Sequence, residues 1–178
     1  MEYGRTARRG GEYFRLADPS WEDPLDISHS QHAGGRWNPP GAFGVLYLNA
    51  TVRMARLQVV HRLAGQPYGV EDLEESEQHD LVAVTARDRD HLDCVTGAGL
   101  SAVGLPESYP IGKDGRPIGW DVCQPVGRAA YDAGRPGVAC RSAAAGASSS
   151  DEELGVFDRA AHAVVMTRRR TFADWYWS

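Results

Sequence analysis

Strand-forming runs gather toward the two ends of this 178-residue chain, and helical periodicity is confined to two stretches between them. That distribution predicts an α+β domain with mixed or antiparallel sheets and flanking helices. Near the N-terminus the aromatic run Glu12-Tyr13-Phe14-Arg15-Leu16 reads as one strand and Val45-Leu46-Tyr47-Leu48-Asn49 as the next. Leu81–Val84 and Gly137–Ser142 supply two more, and the tail offers Leu154–Phe157, Ala163–Thr167 and Thr171–Trp177. The first helix is expected over Thr51–Ala64, which lacks Gly and Pro and repeats Val52, Ala55, Val59 and Leu63 at helical spacing. Thr51 suits its N-cap and Gly65 its stop. A second is expected within Asp121–Gly134, with Val122, Val126, Ala129, Ala130 and Ala133 facing inward. Pro125 fits only a first turn, which moves the expected start of that helix past Asp121.

Four segments read as irregular connection: Asp18–Ala33, the acidic run Glu71–Asp80, the Gly- and Pro-rich residues 97–119, and the Ala-Gly-Ser tract Ala143–Ser150. None is a linker between domains, and no repeat is present. One domain over residues 1–178 is therefore expected, with its core roughly from 10 to 177.

A chain of this length buries roughly 70% of its unfolded surface, so its core needs neither disulfides nor a metal. With 19 Lys and Arg against 24 Asp and Glu, the net charge is -5. That balance argues against nucleic-acid binding, which needs a clustered positive field, but leaves room for a local arginine pocket. No run of 18 apolar residues suggests a membrane span, and Met1–Arg5 carries charge where a signal peptide would be apolar. Cys94, Cys123 and Cys140 form no close pair, which predicts a reduced, cytoplasmic protein. Among the six histidines only His29 and His32 lie close together, so no metal site is expected and both read as solvated loop residues.

The side chains with chemical potential are few. Arg15 lies inside an apolar strand, where an unpaired charge is costly. Arg36 sits in Gly34-Gly35-Arg36-Trp37-Asn38-Pro39-Pro40-Gly41, a rigid loop whose glycines allow close approach of a ligand. A guanidinium suits bidentate phosphate binding, although each arginine could equally serve a structural ion pair. Tyr47 reads as a half-buried strand aromatic, Gln58 as a polar residue on the first helix, and Ser142 as a hydroxyl at a strand end that binds rather than attacks.

In order along the chain, these stretches resemble the RES domain family, the toxin half of Xre–RES toxin–antitoxin pairs. Phe14-Arg15-Leu16 resembles its opening strand, and Gly34–Gly41 its Gly-Arg-Trp-Asn signature, the most specific piece. Val45–Leu48, the Trp120–Tyr131 helix and the Gly137–Ser142 strand are similar to later family segments. The resemblance implies an ADP-ribosyltransferase-like fold and NAD as substrate, cleaved at the nicotinamide–ribose bond by phosphorolysis or hydrolysis, with inorganic phosphate a candidate co-substrate. By position, Arg15, Arg36, Trp37, Asn38 and Tyr47 are expected to bind NAD, and Arg36, Tyr47, Gln58 and Ser142 to form the catalytic set, without metal. It also implies an Xre-like antitoxin partner and compatibility with homo-oligomers. The other functions left open are an ADP-ribosyltransferase acting on a protein or nucleotide, and a non-catalytic NAD-binding domain.

Gln58 departs from the family. In Ala55-Arg56-Leu57-Gln58 it stands where members resembling this chain read Ala-Leu-Leu-Glu. Cleaving the nicotinamide–ribose bond develops positive charge on the sugar, which a fixed carboxylate stabilises. Glutamine keeps the shape without the charge, so weakened activity is expected, and Gln58→Glu is expected to restore it. The acidic run Glu71–Glu77 is the other source of a carboxylate that the sequence offers.

Overall fold

Two long strands organise the chain. In the computed structural model, which describes residues 2–178, β1 (Thr6–Ala17) runs antiparallel to a 15-residue strand, Asp80–Cys94, from Thr6 opposite Leu92 to Ala17 opposite Asp80. Between them in sequence come α1 (Ser28–Ala33), β2 (Val45–Asn49) and α2 (Val52–Arg62), so Asp80–Cys94 is β3. There follow α3 (Gly97–Ala102), α4 (Trp120–Asp132), β4 (Gly137–Arg141), β5 (Glu152–Phe157), α5 (Asp158–Ala161), β6 (Val164–Arg170) and α6 (Phe172–Trp175).

The strands order as β1-β2-β5-β4-β3-β6, with β1 also paired to β3. Five strands thus close a circuit, and β6 extends from the first half of β3. Among the described residues, only the contact of β4 with the end of β3 is parallel. This is the expected α+β class, with a mixed sheet.

Sequence patterning explains where boundaries fell and where they moved. β3 runs far past Leu81–Val84 because Arg87–Asp90 disguise a strand whose middle part is largely solvated while both its ends are buried. Arg8 of β1 meets Asp90 there at 3.5 Å. A β-bulge interrupts that pairing between Arg9 and Gly11, and a Cβ at Gly10 would press on the Asp88 backbone.

Helix α2 begins as its cap predicts, with the Thr51 hydroxyl accepting the Met54 N–H at 3.1 Å. It buries Met54, Ala55 and Val59. Helix α4 corrects the Pro125 argument: it starts earlier, at Trp120, and holds Pro125 in its second turn. Only the bond to the Asp121 carbonyl is forfeited so close to the N-terminus, while Cys123, Val126, Gly127 and Ala130 gain burial. Val122, expected inside, is exposed.

The tail also differs from expectation. Thr171–Trp177 is not a strand: Phe172 and Trp175, three residues apart, turn inward from α6 into a cluster with Leu16, Ala55, Val59 and Leu81. Trp175 Nε1 donates to the His79 carbonyl at 3.0 Å, and the Arg56 guanidinium donates to the carbonyls of Trp175 and Tyr176 at 3.0 Å each. Short helices α1 and α3 lie in segments expected to be irregular, and two single 3-10 turns occupy the acidic run. Arg168–Arg170 belong to β6, and Arg169 pairs with Asp80 at 2.7 Å. All three cysteines are free and buried. Among the described residues, no helix is long and apolar enough to cross a membrane.

Candidate active site

Alternation along β2 and β5 decides which side chains meet. Tyr47 stands opposite Gly155 and Asn49 opposite Glu153. Residues two apart share a face, so Val45, Tyr47, Asn49 and Glu153 point one way while Leu46, Leu48, Leu154 and Val156 fill the opposite core. Over the first face lies a cleft of about 430 Å³, within the range of small-molecule sites. β1 contributes Arg15, the glycine loop Arg36, α2 Gln58 and His61, and the flanks Trp21 and Trp120. A wider depression of about 970 Å³ lies over residues 101–122. Its Lys113, Asp114 and Arg116 are exposed, and it gathers none of the expected site residues.

The glycine loop is held from within. Asn38 donates through Nδ2 to the carbonyls of Ser30 (2.8 Å) and Phe43 (2.9 Å) and accepts the Tyr47 hydroxyl at 2.8 Å. Tyr47 in turn accepts the Trp37 N–H at 3.0 Å. Any side chain at position 35 would strike the Tyr47 ring and hydroxyl, which is why that position is glycine. The Trp37 indole is fully buried in the core beside Tyr109. With its neighbour anchored there, Arg36 reaches the cleft and donates to the Ile118 carbonyl at 3.0 Å.

The cleft is electrically divided. Arg15 is 9% exposed, and one of its Nη atoms donates to the Asp26 carbonyl at 2.9 Å while its Nε is buried without a partner. Burial lowers its pKa to about 10, against the pull of Asp26 and Asp23. Among the described residues, neither Arg15 nor Arg36 lies within 4.0 Å of a carboxylate. Two cations without counter-ions facing one cleft make a site for an anion.

Across from them, Gln58 Nε2 donates to Glu153 Oε1 at 2.7 Å. Burial raises the Glu153 carboxyl above the ordinary glutamate range, opposed by hydrogen bonds from the Ser142 hydroxyl and the Ala143 N–H and by the Arg36 charge. Burial likewise raises the Tyr47 phenol, against the hydrogen bond from Trp37, so it is neutral at physiological pH. Asn49 lines the cleft beside them, its Oδ1 buried and unpartnered.

Of the residues expected at the site, Arg15, Arg36, Tyr47 and Gln58 line this cleft together. Trp37 and Asn38 do not: one is spent in the core and the other, fully buried, holds the loop, so neither is placed to touch a ligand here. Ser142 is buried behind the wall, where its Oγ accepts the Ala144 N–H at 3.1 Å. The acidic run Glu71–Glu77 contributes nothing to the lining. Glu153 is the residue the sequence reading missed. Counting back by two from the buried Phe157 through Gly155 brings Glu153 onto the same face, but the strand expected from Leu154 begins two residues earlier, at Glu152. Among the described residues, no group of three or more His, Cys, Asp or Glu side chains could hold a metal.

The comparisons agree on the architecture. The family model described as RES domain matches residues 12–175. The NAD(+) phosphorylase MbcT of Mycobacterium bovis is 30% identical over 109 residues, 61% of this chain, and its Mycobacterium tuberculosis counterpart matches equally. The match spans about half the length of those relatives, 55%. In the crystal structure of the M. tuberculosis MbcT–MbcA toxin–antitoxin complex, one chain superposes with a TM-score of 0.77 at 23% identity, covering 98% of this chain and 93% of that one. With the family model matched from residue 12 to residue 175, nearly the whole sequence, the chain belongs to the RES domain family.

Proposed function

We propose that this chain consumes NAD, cleaving the nicotinamide–ribose bond with inorganic phosphate as acceptor. The observation that carries the reading is the division of the cleft, with Arg15 and Arg36 lacking carboxylate partners on one side and Glu153 with Gln58 on the other. NAD has that polarity: a diphosphate at its centre and a sugar that gains positive charge as nicotinamide departs. The two guanidiniums take the diphosphate by charge-assisted hydrogen bonds. Tyr47, neutral and fixed through Asn38, presents a rigid ring to the nicotinamide riboside.

In the reaction the C1–N bond breaks and both electrons pass to the pyridinium nitrogen, releasing neutral nicotinamide. An oxygen of phosphate bonds to C1, giving ADP-ribose 1″-phosphate, and the phosphate's proton passes to solvent. The activity named for the MbcT relatives supports this choice of acceptor over water. The complex seen for the structural neighbour supports an antitoxin partner. A substrate of this kind supports a cytoplasmic location.

The test is nicotinamide release from NAD by the purified chain, with and without inorganic phosphate. Release that depends on phosphate supports the reading, release without phosphate dependence moves it to hydrolysis, and no release contradicts it.

A further inference from the structure

A glutamine at the position where the family carries its acid would leave the reaction without its charge, unless the charge comes from elsewhere. Glu153 enters the cleft from β5, with its carboxylate 2.7 Å from the Gln58 amide. Its surroundings are those of an anion kept available. From α2 the Gln58 amide donates to it, and just past β4 the Ser142 hydroxyl and the Ala143 N–H favour its charged form against burial. The Arg36 guanidinium acts on it from the same cleft, and among the described residues no cation lies within 4.0 Å to neutralise it. Its neighbour Glu152 belongs to the other face, where Arg9 clamps it at 2.8 and 3.0 Å. The two adjacent acids therefore have separate tasks.

We infer that Glu153 supplies the carboxylate facing the cleaved sugar, with Gln58 as the positioning residue that orients it. The inference rests on the NAD-cleaving reading above. A neutral donor at 58 is then matched to an anion at 153, and the charge the family places on the helix is here moved to the neighbouring strand. It stabilises the positive sugar as the C1–N electrons leave, and takes no proton in that step. The arrangement reverses the expectation for Gln58→Glu. Two carboxylates held about 2.7 Å apart cannot both ionise and must share a proton, so that single change slows the reaction.

The experiment compares four forms of the full chain: unaltered, Glu153→Gln, Gln58→Glu, and Gln58→Glu combined with Glu153→Gln. Nicotinamide release is measured, NAD affinity is read from quenching of Trp21 and Trp120, and melting confirms folding. The expected result for Glu153→Gln is a loss of about 100-fold or more in kcat, with NAD affinity held within a few-fold. The double variant, which returns the charge to the helix, recovers part of that loss. Glu153→Asp, which keeps the charge but retracts it, falls between.

An unchanged rate in Glu153→Gln overturns the inference and leaves the NAD reading standing. So does a chain that binds NAD but turns it over only after Gln58→Glu. Failure of every form to bind or consume NAD overturns both.

Discussion

An arginine buried in an apolar strand with no carboxylate beside it is a cost that folding alone does not explain. Arg15 satisfies one Nη through the Asp26 carbonyl, leaves its Nε unpartnered, and has its pKa lowered by burial to about 10, so it keeps its charge at pH 7. On the proposed function, the diphosphate of NAD is what would remove that cost. Arg15→Ala and Arg36→Ala are each expected to weaken NAD binding by about 10-fold or more, from the loss of a charge-assisted contact. The Trp21 and Trp120 quenching titration measures it, and unchanged affinity in both variants would place the diphosphate elsewhere. Both arginines were legible as residues because a charge among apolar neighbours or between glycines stands out. Asn38 shows the opposite case. In sequence it is one more polar residue of a motif, and only the fold shows its whole amide spent tying the loop to Ser30, Phe43 and Tyr47.

Elements whose pattern is local were legible, and those fixed by distant partners were not. α2 followed from a cap and an apolar repeat contained in its own residues. β3 did not, since Arg87–Asp90 become strand only through pairing with β1, and α6 reads as a strand until Phe172 and Trp175 find their pocket. The end of β5 hid Glu153 for a related reason, because an acidic triplet looks like solvated loop until β2 and β4 flank it.

β3 also carries a pH-sensitive group. His91 is 2% exposed, and burial, reinforced by the Arg89 charge, lowers its pKa to about 4. Its pKa is lower folded than unfolded, so between pH 6.5 and 4 the unfolded chain takes up the proton first. The stability that the neutral ring contributes is complete above that window and is lost as pH falls through it, up to ~3 kcal/mol. Denaturant unfolding across this range should show a shallower decline for His91→Leu than for the unaltered chain. Parallel declines would contradict the assignment.

For the whole molecule, the circuit β1-β2-β5-β4-β3-β1 explains how residues 15, 36, 47, 58 and 153 come to one place. Closing the strands on one another brings the N-terminal strand beside the middle of the chain, and long-range closure of that kind is what no local pattern discloses. The α+β class was readable from the placement of strands, and the family from the glycine loop, but the source of the carboxylate waited on the topology. One further edge stays open. The outer side of β6 exposes Val165 and Met166, while its end carries Arg168–Arg170, charges that discourage strand pairing between copies.

The central claim is that this cleft breaks the nicotinamide–ribose bond and hands the sugar to phosphate. It is tested most directly by incubating the purified chain with NAD and phosphate labelled with heavy oxygen, then weighing the sugar product. The account predicts nicotinamide in equal amount with ADP-ribose 1″-phosphate that retains every labelled oxygen, since phosphate attacks carbon through its own oxygen. Unlabelled ADP-ribose as the sole product, or NAD recovered intact, would contradict it.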